Sequence, residues 1–93
     1  MNITITLTDT EYKALEYAAL SVQDWADNAL HNRARIAKEE IIALLVKHCN
    51  ENSIQLATGE DAQVTQAFDL GVVKTLAEKQ AELDAQAEQM NNV

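Results

Sequence analysis

Few residues in this 93-residue chain have the chemistry of a metal or catalytic site. His31 and His48 are separated by 17 positions, and neither has a second histidine or cysteine three or four residues away. That spacing is the one that places two ligands on a single helical face. Cys49 adjoins His48, but neighbours on a helix point about 100 degrees apart, which is poor geometry for a shared metal. We therefore expect no metal site and no cofactor.

The sequence also indicates no activated nucleophile. Cys49 is the single cysteine, and because no base or orienting residue stands beside it, we expect it to be a small buried apolar side chain. The chain has two glycines, Gly59 and Gly71, so it contains no glycine-rich loop that would bind a phosphate. We expect no enzymatic activity and no small-molecule substrate.

One charged residue, Arg33, lies within the apolar arc of a helical pattern, with Glu40 on the same face seven residues later. An arginine that is covered by a partner must find a carboxylate or carbonyl groups, so Arg33 is a candidate partner-binding residue. The alternative is that its aliphatic stem packs on the helix while its guanidinium reaches water. Both interpretations stay open from the sequence.

The N-terminus predicts a short strand. Ile3, Ile5 and Leu7 alternate with polar residues, a period of two that places the aliphatic side chains on one face. No comparable second strand follows, so we expect the pairing partner of this strand to come from another chain.

Two capped helices are predicted next. Thr8 and Glu11 have the spacing of a capping box, which starts a first helix at about residue 9 that runs to about residue 20. Ser21 repeats the signal and starts a second, long helix from about residue 22 to about residue 49. Its last two turns, around Ile42 and Val46, are apolar nearly all round. We expect another subunit or the C-terminal half to cover them.

Trp25 lies at the position where a hydrophobic staple with Leu20 would form at the start of the second helix. We expect Trp25 to pack in the core for this reason, although a tryptophan is also a frequent anchor for partners.

The second half predicts a short helix and a longer amphipathic one. Residues 51–59 form a linker in which residues 54–56 alternate as a possible short strand. A helix follows from about residue 60 to Phe68 and ends near Gly71. Beyond it, residues spaced by three and four positions predict an amphipathic helix that docks on a subunit or forms a coiled coil. These residues are Val73, Leu76, Gln80, Leu83, Ala87 and Met90.

The fold class that follows is mainly α: a short N-terminal strand, two capped helices of which the second is long, a short helix and an amphipathic C-terminal helix. We expect one domain in all, with a strand-helix-helix core in residues 1–50, a linker in residues 51–59 and an acidic helical segment in residues 60–93.

Charge and hydropathy limit the partners. The net charge is −8, of which residues 1–50 contribute five basic and seven acidic groups (net −2) and residues 51–93 two basic and eight acidic groups (net −6). Such a surface repels phosphate backbones and anionic lipids, which argues against nucleic acid and membranes as partners. No apolar run is long enough to span a bilayer, and the N-terminus lacks the pattern of a signal peptide. With one cysteine, synthesis in a reducing cytoplasm is expected.

Residues 1–45 resemble the ribbon-helix-helix fold in the order of their elements: ITITL, then TDTEYKALEYAAL, then a helix that begins SVQDW. In that family two chains pair their strands and read the major groove of DNA. The resemblance implies a DNA-binding transcriptional regulator in which Asn2, Thr4 and Thr6 face bases, while Ser21 and Val22 hold a phosphate. The chain departs from the pattern because no basic residue accompanies the ribbon, the second helix is about twice the usual length, and the whole is acidic.

A second resemblance lies within residues 7–41. The segments LTDTEYKALEYAAL and VQDWADNALHNRARIAKEEI look like those of small proteins encoded by tailed bacteriophages. Their W-x-x-N-x-x-x-x-R-A-R segment is here Trp25, Asn28, Arg33, Ala34 and Arg35. This resemblance implies a structural protein of the virion, made in the host cytoplasm, that binds copies of itself or a larger capsid, tail or fibre protein.

If the chain is such an assembly protein, its partners should bind the apolar face of the strand, the long helix and the C-terminal stripe. The expected partner-binding residues are Ile3, Ile5, Leu7, Arg33, Ile42, Val46, Val73, Leu76, Leu83 and Met90.

Overall fold

The computed structural model is mainly helical. Its backbone is described for residues 1–91 and its side chains for residues 1–89. Within that part of the chain, α1 covers Asp9–Ala18, α2 Val22–Asn52, α3 Glu60–Asp69 and α4 Leu76–Asn91. The chain divides into two compact units, one of residues 1–36 and one from Ala37 onward, and α2 contributes to both. The segments 1–50, 51–59 and 60–93 remain a prediction about domains.

The starts of α1 and α2 lie where the sequence predicts them. The Thr8 hydroxyl accepts a hydrogen bond from the Glu11 N–H at 3.1 Å, and the Glu11 carboxylate accepts one from the Thr8 N–H at 3.0 Å. The Ser21 hydroxyl accepts from the Asp24 N–H at 3.2 Å. Each cap satisfies N–H groups that the first turn of a helix leaves without partners, so both predicted caps are confirmed.

The predicted N-terminal strand is wrong. The described residues contain no strand, and within them residues 1–7 make no backbone hydrogen bond. A strand exists only where a neighbouring segment completes its ladder, and the described part of this chain supplies none. The alternation does predict that Ile3, Ile5 and Leu7 lie on the same side of the segment, because all three line a cleft with α1 and α2.

The possible second strand, at residues 54–56, is likewise absent from the described chain, and side chains of α3 take the place of its ladder. The Gln66 side-chain oxygen accepts from the Ala57 N–H at 2.8 Å, while its amide nitrogen donates to the Gln55 carbonyl at 2.9 Å. Gln63 donates to the Ala57 carbonyl at 2.9 Å. We call this group of three hydrogen bonds the glutamine clamp.

A small apolar core lies in the unit that begins at Ala37. Its buried residues are Leu45, Cys49 and Ala67, from α2 and α3. Partly buried side chains surround them, and these are Ile41, Ile54, Leu56, Val72 and Val73. The clamp holds the segment that carries Ile54 and Leu56, so it also holds one wall of this core.

The start of α3 differs from the sequence pattern, whereas its end agrees with it. Thr58 has the spacing of a cap, but the N-cap is Gly59, with a φ of 91° and no side-chain hydrogen bond. At the other end, Gly71 has a φ of 71°, and the Val72 N–H donates to the Ala67 carbonyl at 2.9 Å. This left-handed ending favours glycine, so the predicted end near Gly71 is confirmed.

The start of α4 is capped by a residue that the sequence pattern had not singled out. The Thr75 hydroxyl accepts from the Glu78 N–H at 3.1 Å and contacts the Glu78 carboxylate at 3.1 Å. One residue earlier, Lys74 forms an ion pair with Glu82 of α4. No side chain described on α4 is buried.

Candidate interaction surface

An apolar cleft is one of the concave features of residues 1–36. It has a volume of about 510 Å³ and lies between the N-terminal segment, α1 and the first turns of α2. We call it the N-terminal cleft. The aliphatic and aromatic residues that line it are Ile3, Ile5, Leu7, Tyr12, Leu15, Val22, Trp25, Ala26 and Leu30.

The residues of the N-terminal cleft do not form a closed core. Ile3 and Ile5 are 69 % and 64 % exposed, and Trp25 is 55 % exposed. No described residue of the unit 1–36 is buried. Because Leu20 is fully exposed, its expected staple with Trp25 is not formed, and the expectation that Trp25 packs in the core is wrong. Full burial of each large side chain would contribute about 1.5–3 kcal/mol, which this unit does not gain within one chain.

Two acidic residues border the cleft, and a basic residue lies farther along α2. Asp9 and Asp27 lie at its rim, and Asp27 accepts a hydrogen bond from the Gln23 amide at 2.9 Å. Arg33 lies seven residues after Ala26 and therefore on the same face of α2. Its side chain is exposed and makes no hydrogen bond or ion pair with any described residue, so Glu40 is not its partner.

The other expected partner-binding residues lie in the unit from Ala37 onward. Ile42 and Val46 are half-buried on α2, and Val73 packs against the small core. Leu76 and Leu83 are exposed on α4, whereas the side chain of Met90 lies outside the described residues. Of the expected set, the structure brings Ile3, Ile5 and Leu7 to one site.

The residues with possible metal or nucleophile chemistry are dispersed. Cys49 is 2 % exposed within the small core, and His31 is exposed on α2. The backbone carbonyl of His48 accepts from the Asn52 amide at 2.9 Å. Within the described chain, no cluster of three or more His, Cys, Asp or Glu side chains could hold a metal ion.

Hydrogen bonds and ion pairs shift the pKa values of three side chains, which are Glu11, Lys38 and Lys74. Hydrogen bonds from the Thr8 backbone N–H, and with its hydroxyl, lower the pKa of Glu11 below its usual value. Lys38 contacts Glu60 at 2.5 Å, which joins α2 to the start of α3, and this contact raises the pKa of Lys38. The pairing of Lys74 with Glu82 raises the pKa of Lys74 in the same way. All of these groups are at least partly exposed, so solvent screens their effect on stability.

Sequence reasoning missed the glutamine clamp. Gln63 and Gln66 lie one turn apart and so share a face of α3, which is a signal that the sequence does contain. Their partners at residues 55–57 are up to 11 positions away, and helical or strand periodicity does not encode contacts over that distance.

Within the described residues, none of the helices combines the length and the apolar character that crossing a membrane requires. Comparisons with protein-family models, curated proteins and solved structures found no match for this chain.

Proposed function

We propose that this chain is a non-enzymatic structural or assembly protein of a tailed bacteriophage virion. It works by binding copies of itself or a larger virion protein, such as a capsid, tail or fibre component. The observation that carries the proposal is the N-terminal cleft, in which five large apolar side chains stay exposed within a unit that has no buried residue.

The extent of this surface supports an assembly role. The side chains of Ile3, Ile5, Tyr12, Trp25 and Leu30 are each about half exposed or more. Together they present on the order of 600 Å² of surface, if a large side chain offers roughly 150–250 Å² when fully exposed. The largest apolar patch on a typical monomer is about 300–600 Å², and such patches are often functional.

The resemblance to small proteins of tailed phages supports the part of the proposal that names a tailed-phage virion as the particle. It rests on the segment that contains Trp25, Asn28 and Arg33, and Trp25 lines the N-terminal cleft. The proposal thus assigns to that segment a role in binding protein.

Purified particles provide the test. Virions produced by the cell that encodes the chain are purified on a density gradient, and the chain is measured in them by mass spectrometry. The double variant Ile3→Thr with Ile5→Thr should be lost from the particles, because it removes apolar surface while keeping β-branched side chains. Thr4→Ser with Thr6→Ser changes the same segment on its polar side and should be incorporated as the parent is. Absence of the parent chain from intact particles would show the proposal to be wrong.

A gel shift with random duplex DNA at low salt tests the ribbon-helix-helix alternative. The chain has no lysine or arginine before Lys13, and Asp9 and Asp27 border the N-terminal cleft. We therefore expect no complex. A complex whose affinity falls steeply with salt would instead favour a DNA-binding regulator.

A further inference from the structure

We infer that the N-terminal cleft docks a second copy of this chain, with Asp27 of each copy paired to Arg33 of the other. The inference rests on the proposed assembly function and names the partner of the same surface. It starts from two unbalanced charges on α2, because among the described residues Arg33 has no partner and Asp27 accepts only from the neutral Gln23 amide.

Within one chain these two charges cannot meet. Asp27 and Arg33 are six positions apart, which places them on different sides of α2, whereas side chains on a helix meet at separations of three or four. Both are exposed, and both flank Leu30, an apolar residue of the cleft that is 48 % exposed.

A twofold axis brings the two charges to the same level along paired helices. Residues 27 and 33 each lie three positions from Leu30, or about 4.5 Å along the helix axis. If two copies of α2 pass antiparallel with the axis near Leu30, Asp27 of each copy lies level with Arg33 of the other. The symmetric contact forms this pair twice, and the long arginine side chain reaches across the apolar contact.

Charge and area both favour a second copy as the occupant. Residues 1–36 carry three basic and five acidic groups (net −2), whereas residues 37–93 carry four basic and ten acidic groups (net −6). Two copies therefore repel each other least when residues 1–36 form the contact. The exposed side chains of the cleft supply most of the roughly 800 Å² per partner that a standard interface buries.

The acidic rim opposes the other classes of occupant. Asp9 and Asp27 at the cleft would lie against phosphates if a duplex or an anionic membrane were bound there. In the symmetric dimer, Asp27 instead lies against a guanidinium, which offers a bidentate match to a carboxylate.

Sedimentation equilibrium of the full chain over a range of concentrations tests the inference. The parent should dimerise. Arg33→Asp and Asp27→Arg should each weaken the dimer by about tenfold or more, because each puts like charges opposite one another. An equimolar mixture of the two single variants should recover the parent affinity to within about threefold, since one copy then carries two negative charges and the other two positive charges.

Arg35→Asp is the matched control. It makes the same change of charge on the same helix but on another face, and it should leave the dimer within about threefold of the parent. Circular dichroism of each variant checks that α2 is retained, and the mixing experiment gives a readout that a folding defect does not imitate.

A parent chain that stays monomeric overturns the inference. A dimer that neither single variant weakens also overturns it, as does a mixture that fails to recover. These outcomes are separable from failure of the proposed function. A monomer that is nevertheless found in virions binds a different virion protein, whereas a dimer that is absent from virions contradicts only the proposed role in the particle.

Discussion

At the scale of single residues, Gln66 has an unusual structural role for a side chain. Its amide both accepts from the Ala57 N–H and donates to the Gln55 carbonyl, and so it satisfies two backbone groups of a segment without a strand partner. A buried or half-buried backbone group that loses its partner destabilises the folded state, because it has lost its hydrogen bonds to water and gains none from the protein.

Replacing Gln66 by alanine should lower the free energy of unfolding by about 1–3 kcal/mol, because it leaves the half-buried Ala57 N–H without an acceptor. Urea denaturation followed by circular dichroism measures the change. Gln80→Ala is the control, since Gln80 is exposed on α4 and donates only to Asp84. We expect that control to lie within about 0.5 kcal/mol of the parent. Equal losses in both variants would mean that the clamp contributes nothing specific.

The Thr8 to Glu11 capping box predicts a dependence on pH. Its hydrogen bonds hold the pKa of Glu11 below the value of 4.5 expected without them. A carboxyl group with a lower pKa in the folded state stabilises that state above its unfolded-state pKa, and this contribution is lost as the pH falls through the folded-state pKa. The box should therefore support α1 at neutral pH and fail in acid.

Thr8→Ala removes the hydroxyl but keeps the backbone N–H, which is the larger cause, so it should raise the pKa of Glu11 only part of the way toward 4.5, as measured by NMR titration of its side-chain carboxyl. It should also reduce the helicity of α1, since loss of a threonine cap costs about 1 kcal/mol. Thr10→Ala, in the first turn of the same helix, should leave the titration of Glu11 unchanged. A pKa of Glu11 that is unchanged in Thr8→Ala would contradict the contribution assigned to the Thr8 hydroxyl.

At the scale of elements, the ends of the helices depend on local backbone geometry. Ser53 follows the last residue of α2 with a φ of 55°, and the next N–H, of Ile54, donates to the Cys49 carbonyl at 2.9 Å. This is the ending that Gly71 provides for α3, but in α2 a residue with a β-carbon adopts it. The left-handed conformation costs such a residue about 1 kcal/mol.

Ser53→Gly should raise the free energy of unfolding by about 0.5–1 kcal/mol, because glycine adopts this conformation without steric cost. Urea denaturation provides the measurement. Ser53→Ala keeps the β-carbon and should bring no gain. If alanine stabilised the protein as much as glycine, the serine hydroxyl and not the backbone angle would be the source of the strain.

The contrast between caps and strands explains which elements the sequence could predict. Thr8, Ser21 and Gly71 act on groups within a few residues of themselves, so their patterns are sufficient. The alternation at residues 1–7 predicts which side chains lie on the same face of the segment. It does not predict whether a neighbouring strand pairs with that segment. Tertiary packing alone produces the glutamine clamp. It also places Ile3 and Trp25 around one cleft.

At the scale of the whole molecule, burial is distributed unequally between the two units. All three buried residues of the described chain lie from Ala37 onward, and none lies in residues 1–36. The acidic excess also lies mainly in the second unit. We therefore expect the first unit to depend on a partner for stability, and the second to depend on its own core.

Hydrogen exchange at two protein concentrations should reveal this difference. Amides of residues 9–36 should become more protected as the concentration rises, because self-association adds contacts that one chain lacks. Amides of α3 and of the last turns of α2 should exchange at the same rate at both concentrations. Protection of residues 9–36 that is independent of concentration would argue against a partner at the N-terminal cleft.

The glutamine clamp also bears on misassembly. Strand-like segments whose backbone groups lack partners are templates on which other chains can add, and from which fibrils grow. Residues 55–57 are less open to such addition, because Gln63 and Gln66 already occupy the Gln55 carbonyl and both backbone groups of Ala57. The segment ITITL in residues 3–7 has no charge, a high β-propensity and no such occupant in the described chain. When its proper partner is scarce, fibrillar aggregation should therefore begin at the N-terminus and spare the clamped segment.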